Sequence, residues 1–221
     1  MLNDAIRAAA HTLAFPLSGT QETLLAHYVE LVFKWNRITN LIGVAEPAEF
    51  IAKHLTDCLS IAPYVVGDTL VDVGSGAGLP GLVLACVQPE LFVYLLEPRA
   101  KRARFLEHAR IALALPNVAV VTARVETWQP PRRVATIVCR AFGSVPEFVR
   151  VTTALQSPGC RLLAMKGQDP TSELVGLATA DFNCTVHPLT VPGWHTRHLV
   201  MLERTPPQVC ERALAGLGFM P

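Results

Sequence analysis

The sequence predicts an α/β fold: a mostly parallel, seven-stranded sheet covered by helices, with an antiparallel C-terminal strand and a helical N-terminal extension. Three observations predict it. From residue 69 onward, short β-rich runs alternate with helical stretches, and repeated βα units imply parallel strands. The chain before that point carries apolar residues at helical rather than alternating spacing. The last two β-rich runs have no clear helix between them, so they are expected to pair antiparallel.

In chain order, Ser18–Gln21 has the pattern of a capping box, and Leu24, Tyr28, Leu31, Val32 and Trp35 then recur at helical spacing. A second helix starts near Pro47 and carries Ile51, Leu55, Cys58, Leu59 and Ala62 as one apolar stripe. Strands are expected over 69–74, 91–97, 118–123, 134–141, 159–167, 184–191 and 198–204. Helices are expected over 82–87, 101–115, 145–155 and 171–180. The organisation is then a helical extension (1–66), a cofactor-binding core (67–206) and a C-terminal tail (207–221), together one compact domain.

Composition narrows the function. With 51% hydrophobic and 17% charged residues, the chain has ample material for a core and is unlike a disordered sequence. A net charge of +1 does not announce a nucleic-acid partner, so any such affinity must come from a local patch. No apolar run approaches a membrane span, and the N-terminus lacks the features of a signal peptide, which points to the cytoplasm. The six cysteines form no CxxC pair and no Cys/His cluster, so reduced thiols and no metal are expected.

The chemistry concentrates in LVDVGSGAGLPG, residues 70–81. Gly74, Gly76, Gly78 and Gly81 follow a strand and open a helix, where a ligand can lie against bare backbone. The spacing is GxGxG, and Asp72 just ahead of it would repel a pyrophosphate, so a nicotinamide dinucleotide fits poorly. Glu97 ends the second strand, where a carboxylate can accept from both ribose hydroxyls. An adenosine without phosphate, joined to an amino acid, satisfies all of these features, and S-adenosyl-L-methionine is such a molecule. A plain structural turn is the alternative for the glycines.

The sequence resembles the bacterial small-subunit (16S) rRNA guanine-N7 methyltransferases, the glucose-inhibited division protein B family, over nearly its whole length. The resemblance rests on KWNRITNLIGV (34–44), KHLTDCLSIAPYV (53–65), DVGSGAGLPG (72–81), KRARFL (101–106), ARVE (123–126), CRAF (139–142), MKGQ (165–168) and RHLV (197–200). Cys139 stands where the family commonly has serine, and Glu97 where it often has aspartate. The resemblance implies a Rossmann-like class I methyltransferase fold and an S-adenosylmethionine cofactor leaving as S-adenosyl-L-homocysteine. It also implies a 16S rRNA substrate in the small subunit or an assembly intermediate. Gly74 and Leu79 are implied to contact the cofactor, Val125 and Glu126 its adenine side, and Arg140 to be a cofactor-site arginine.

Guanine N7 carries a lone pair and no proton, so its methylation needs alignment rather than a general base. Arg140 and Lys166, at the ends of the fourth and fifth strands, are the expected catalytic residues, orienting the guanine. The alternatives are a salt bridge from Arg140 to a local carboxylate such as Glu126, and a solvated strand end for Lys166. His54 and Asp57 are expected to form a buried structural hydrogen bond, and Asn36 and Asn40 to cap a loop. Arg99, Lys101, Arg102 and Arg104 crowd a helix N-terminus, where cations are disfavoured; with Arg197 and His198 they are the expected RNA-binding set. Paired instead with Glu97 and Glu107, the four would be only a solvated basic turn. A monomer is expected. Methylation of a small molecule or a protein side chain, and a non-catalytic nucleotide-binding regulator, stay open on the residues alone.

Overall fold

The computed structural model describes residues 2–175, 177 and 182–204. The expected C-terminal tail and part of the 171–180 segment lie outside them.

Two helices open the chain, α1 (Leu2–Thr12) and α2 (Gly19–Thr39). The capping box at Ser18 is formed: the Gln21 N–H donates to Ser18 Oγ at 3.3 Å, and the Ser18 N–H to Gln21 Oε1 at 2.7 Å. Gln21 Nε2 also donates to the Val87 carbonyl at 2.8 Å, so the residue that starts α2 also pins it to the core. Asn40 closes the helix in the left-handed region, and Asn36 Oδ1 accepts the Ile42 N–H at 2.9 Å, the loop-capping roles expected of both.

The next helix is not uniform. It is α-helical over α3 (Pro47–Phe50), widens to a π turn over Ile51–Leu55, and returns to α over α4 (Thr56–Ser60). The Ile51 carbonyl takes both the Thr56 N–H and, at 2.8 Å, the Thr56 hydroxyl, which holds the wide turn open. The apolar stripe Ile51, Leu55, Cys58, Leu59 and Ala62 is buried throughout.

The sheet then forms in the order β3-β2-β1-β4-β5-β7-β6. Its strands are β1 (Thr69–Val73), β2 (Phe92–Leu96), β3 (Val118–Val121), β4 (Thr136–Arg140), β5 (Arg161–Lys166), β6 (Phe182–Pro188) and β7 (His198–Arg204). The first five are parallel, and β7 runs antiparallel to both β5 and β6, as expected. The crossovers carry α5 (Gly81–Val87), α6 (Ala100–Ala112), α7 (Val145–Val151) and α8 (Thr171–Leu174). The strand order reverses between β1 and β4, so their carboxyl ends open a crevice.

Three boundaries shift from expectation for local reasons. The helix from Val145 ends at Val151 and tightens to a 3₁₀ turn over Thr153–Leu155. There the Thr152 and Thr153 hydroxyls donate back to the Phe148 and Val149 carbonyls, competing with the helix ladder. Helix α6 stops at Ala112 because Ala114 turns at φ 50°. Strand β6 spans Phe182–Pro188 rather than 184–191.

The sheet has two buried faces. Leu70, Val138, Leu163, Met165 and Leu199 join α1–α6 in one apolar cluster. Val71, Val73, Ile137, Cys139, Leu162, Ala164, Val200 and Leu202 join α7 in the other. Strand parity therefore decides which layer each residue of β1, β4, β5 and β7 meets.

Candidate active site

The turn after β1 is bound to β2 through backbone. The Gly74 and Ser75 N–H groups both donate to the Leu96 carbonyl, at 2.8 and 3.1 Å. Gly74 has φ +74°, and a Cβ there would meet little besides Phe142 Cδ2 at 3.9 Å, so its bare backbone faces open space. Gly81 is a different case: a Cβ would lie 2.7 Å from Asp72 Oδ2. That closeness lets the Gly81 N–H, in the first turn of α5, donate to Asp72 at 2.9 Å. From the other side, the Tyr28 hydroxyl of α2 donates to the Ala77 carbonyl at 2.7 Å.

Two cavities meet at Gly74. The larger, of about 480 Å³, is lined by Gly74–Ala77, Leu79, Arg102, Arg140, Met165 and Gly167. His54, Ala141, Trp194, Arg197 and the Leu41–Gly43 segment complete it. The smaller, of about 190 Å³, is lined by Gly74, Leu96, Pro98, Val125, Glu126 and Phe142 among others. Val125 and Glu126 belong to a 3₁₀ turn, Val125–Thr127. An elongated molecule with a flat ring at one end could span both cavities across the Gly74 backbone.

Of the three expected acidic contacts, Glu126 lines the smaller cavity, while Asp72 and Glu97 lie beneath this surface and line neither. Asp72 is fully buried, and among the described residues its Oδ1 has no hydrogen-bond partner. Burial pushes its carboxyl up to about 7, against the lowering effect of the Gly81 N–H. Glu97 accepts the Gly76 N–H at 3.0 Å and the Arg99 N–H at 2.9 Å. Both carboxylates bond the backbone of the loop and hold it in shape.

Arg140 does not pair with Glu126. Its Nε donates to Asp57 Oδ2 at 2.9 Å, and its Nη2 approaches His54 Nδ1 at 2.6 Å. Asp57 also takes Nε of Arg197 at 2.8 Å on Oδ1, and Nη2 of Arg197 on Oδ2. A fully buried aspartate from α4 thereby joins the end of β4 to the residue before β7. The expected His54–Asp57 bond gives way to one from Arg140 to His54. Burial first, and then the Arg140 charge, lower the His54 imidazole to about 4, so it is neutral at physiological pH.

The other expected cations scatter. Lys166 donates to the Gly143 carbonyl at 3.0 Å and to Glu173 Oε2 at 2.9 Å, and Glu173 also accepts the Val145 N–H at 2.8 Å. The structure does not bring Lys166 to Arg140: Met165 and Gly167 line the cavity, and Lys166, between them, points to the other face of the sheet. His198 is the register partner of Lys166 and shares that face, with its Nδ1 buried and without a hydrogen-bond partner among the described residues. Arg197 is buried against Asp57 rather than exposed to a polymer. Arg104 borders a separate depression with Glu107 and Val120. Arg99 and Lys101 are exposed, and Arg102 lines the main cavity 3.9 Å from Glu97, while Glu107 pairs with Arg110 instead.

Sequence reasoning did not find the Asp57 bridge or the Trp194 wall. One signal was present: an acid set between Leu55 and Leu59 on a buried stripe needs a cationic partner. The five described cysteines carry no disulfide, and Cys58, Cys86, Cys139 and Cys160 are buried with thiols pushed up by that burial.

The sequence model of the family described as "GidB: rRNA small subunit methyltransferase G" matches residues 21–201. A protein named Ribosomal RNA small subunit methyltransferase G from Pseudomonas fluorescens is 41% identical over 204 residues, covering 91% of this chain and 95% of its own. The chain belongs to the rRNA small subunit methyltransferase G family. Its namesake from Laribacter hongkongensis is 42% identical over 202 residues, 91% of this chain and 98% of that one. Members of this family are methyltransferases, and this chain is one. Solved structures share the fold at lower identity. Magnesium protoporphyrin IX methyltransferase from Synechocystis, solved with bound SAM, superposes at TM-score 0.56 and 16% identity, covering 80% of this chain and 97% of that one. Precorrin-6y C5,15-methyltransferase from Geobacter metallireducens gives 0.52 at 11%, covering 68% and 88%. The rRNA small subunit methyltransferase G fold is thus the Rossmann-like one common to methyltransferases, and among the described residues no helix is long and apolar enough to cross a membrane.

Proposed function

We propose that the protein transfers a methyl group from S-adenosyl-L-methionine to N7 of a guanine in 16S rRNA of the small ribosomal subunit. The observation that carries this reading is the pair of cavities joined at Gly74, within a chain of the rRNA small subunit methyltransferase G family. The fit to the cofactor rests on that bare backbone: Gly74 lines both cavities, and a Cβ there would come within 3.9 Å of Phe142 Cδ2. Val125, Glu126 and Phe142 wall the smaller cavity for an adenine ring, and Gly74, Gly76, Gly78 and Leu79 form the loop along which the rest lies. Asp72 and Glu97 fix that loop from below. Arg140 keeps N–H groups beyond the two it gives to Asp57 and His54, and these suit a carboxylate.

The bound cofactor supplies a methyl on a sulfonium, electrophilic without further activation. The chain's work is alignment. A guanine entering the larger cavity meets Trp194 and Met165 as apolar surface, and its N7 lone pair needs no deprotonation. No carboxylate among the lining residues of this cavity competes for the ring. Arg99 and Lys101, exposed near the cavity beside Arg102, supply backbone phosphate contacts on a protein of near-zero net charge.

The test is transfer from labelled S-adenosyl-L-methionine into small subunits lacking the modification, with N7-specific cleavage of the product RNA. One cleavage site is expected. Transfer without N7 cleavage moves the target atom. Absence of transfer by a protein that binds S-adenosyl-L-homocysteine overturns the reading.

A further inference from the structure

His54 sits in the wall of the larger cavity, and the mechanism above gives it no task. Its chemistry is fixed by its neighbours. An arginine has only donors, so the 2.6 Å contact from Arg140 Nη2 makes His54 Nδ1 an acceptor and leaves the ring proton on Nε2. Arg140 is held in turn by Asp57, which also grips Arg197, so the donor cannot swing away without stranding a buried charge. The imidazole stands between two aromatic rings, Phe50 with centroids 5.6 Å away and Trp194 at 6.2 Å. Among the described residues Nε2 has no hydrogen-bond partner, and it is not among the buried unpaired atoms. The outcome is a neutral N–H donor of fixed orientation, open to the cavity and beside the Trp194 ring.

Resting on the functional reading above, we propose that His54 is the residue that selects guanine, its Nε2–H donating to the guanine O6 atom. O6 lies next to N7 on the same edge of the base, so one donor there orients the nucleophile. Adenine presents N6–H₂ at that position, and two donors would face each other with neither satisfied. A neutral donor also suits the product, because an imidazolium would repel the positive charge that N7-methylguanine acquires. Leaving that one donor of the site unpaired discriminates against an analogue lacking O6 by about 10- to 100-fold.

The experiment compares small subunits carrying guanosine or 2-aminopurine at the target position, the latter keeping N7 and lacking O6. Wild-type kcat/KM is expected to favour guanosine by about 10- to 100-fold. His54→Ala is expected to compress that ratio to within about threefold, and His54→Gln, which keeps an N–H donor, to restore part of it. An unchanged ratio in His54→Ala overturns the proposal and makes His54 a positioning residue for Arg140 only. ¹⁵N–¹H correlation spectra of the wild-type protein at neutral pH give an activity-independent check. The proton is expected on Nε2 of His54, and an Nδ1–H tautomer overturns the proposal even if every variant transfers methyl. Wild-type protein that binds S-adenosyl-L-homocysteine but methylates no guanosine substrate would instead sink the functional reading and this inference with it.

Discussion

The two faces of the sheet at the carboxyl ends of β4 and β5 and the amino end of β7 differ sharply, although one set of short motifs supplies both. On the face toward the N-terminal helices, Arg140, Met165 and Arg197 converge with His54 around buried Asp57. On the other face, Lys166 ties the end of β5 to Glu173 and Gly143, and His198 lies beside it in register. CRAF, MKGQ and RHLV each contribute a cation at a strand end, yet a one-residue offset sends Lys166 and His198 away from the cavity. A motif marks the right end of the sheet; parity selects the side.

The most severe break of this contrast is Asp57→Ala. It leaves Arg140 and Arg197 together in a buried site without their shared anion. A loss of about 3–5 kcal/mol is expected in urea unfolding, the usual cost of stranding one half of a buried pair. Next comes the direct comparison of faces. Arg140→Ala should lower kcat/KM for methyl transfer by about 10²–10³, the effect of removing one preorganised donor from a site. Lys166→Ala should leave transfer within about threefold, because its bonds to Gly143 and Glu173 lie on the other face. Equal losses in the two variants would erase the distinction between the faces.

The gentlest test sits under the loop. Because burial raises the Asp72 carboxyl to about 7, the folded state binds its proton more tightly than the unfolded chain does. Stability should therefore fall as pH rises from about 4 to about 7 and level off above. Asp72→Asn, which keeps an oxygen for the Gly81 N–H, should flatten that slope in urea titrations taken across the window.

Much of the architecture was legible. Alternation of β-rich and helical runs gave every strand within a few residues, and the lack of a helix before His198 gave the antiparallel pair. The glycine turn was legible because only bare backbone suits a ligand at the end of a buried strand. The partners of charged side chains were not. Asp57 lies 83 positions from Arg140 and 140 from Arg197, and no local pattern encodes contacts so remote. The directions of the basic turn's side chains were not legible either, because charge density alone does not say which of them point outward together: Arg102 turns to the cavity, Arg104 to another depression. The back-bonding threonines at 152 and 153, which cut a helix short, act through side-chain rotamers that apolar periodicity ignores.

The wide turn over Ile51–Leu55 sets the angular phase of the rest of that helix. An α-helix advances about 100° per residue, so closing the wide turn to a regular spiral with no residue removed would swing everything after it by over a quarter of a circle. Asp57 would leave both arginines at once, with no side chain altered. The turn takes up one residue that a plain helix would have spent on rotation, and the anchoring of the cavity depends on it.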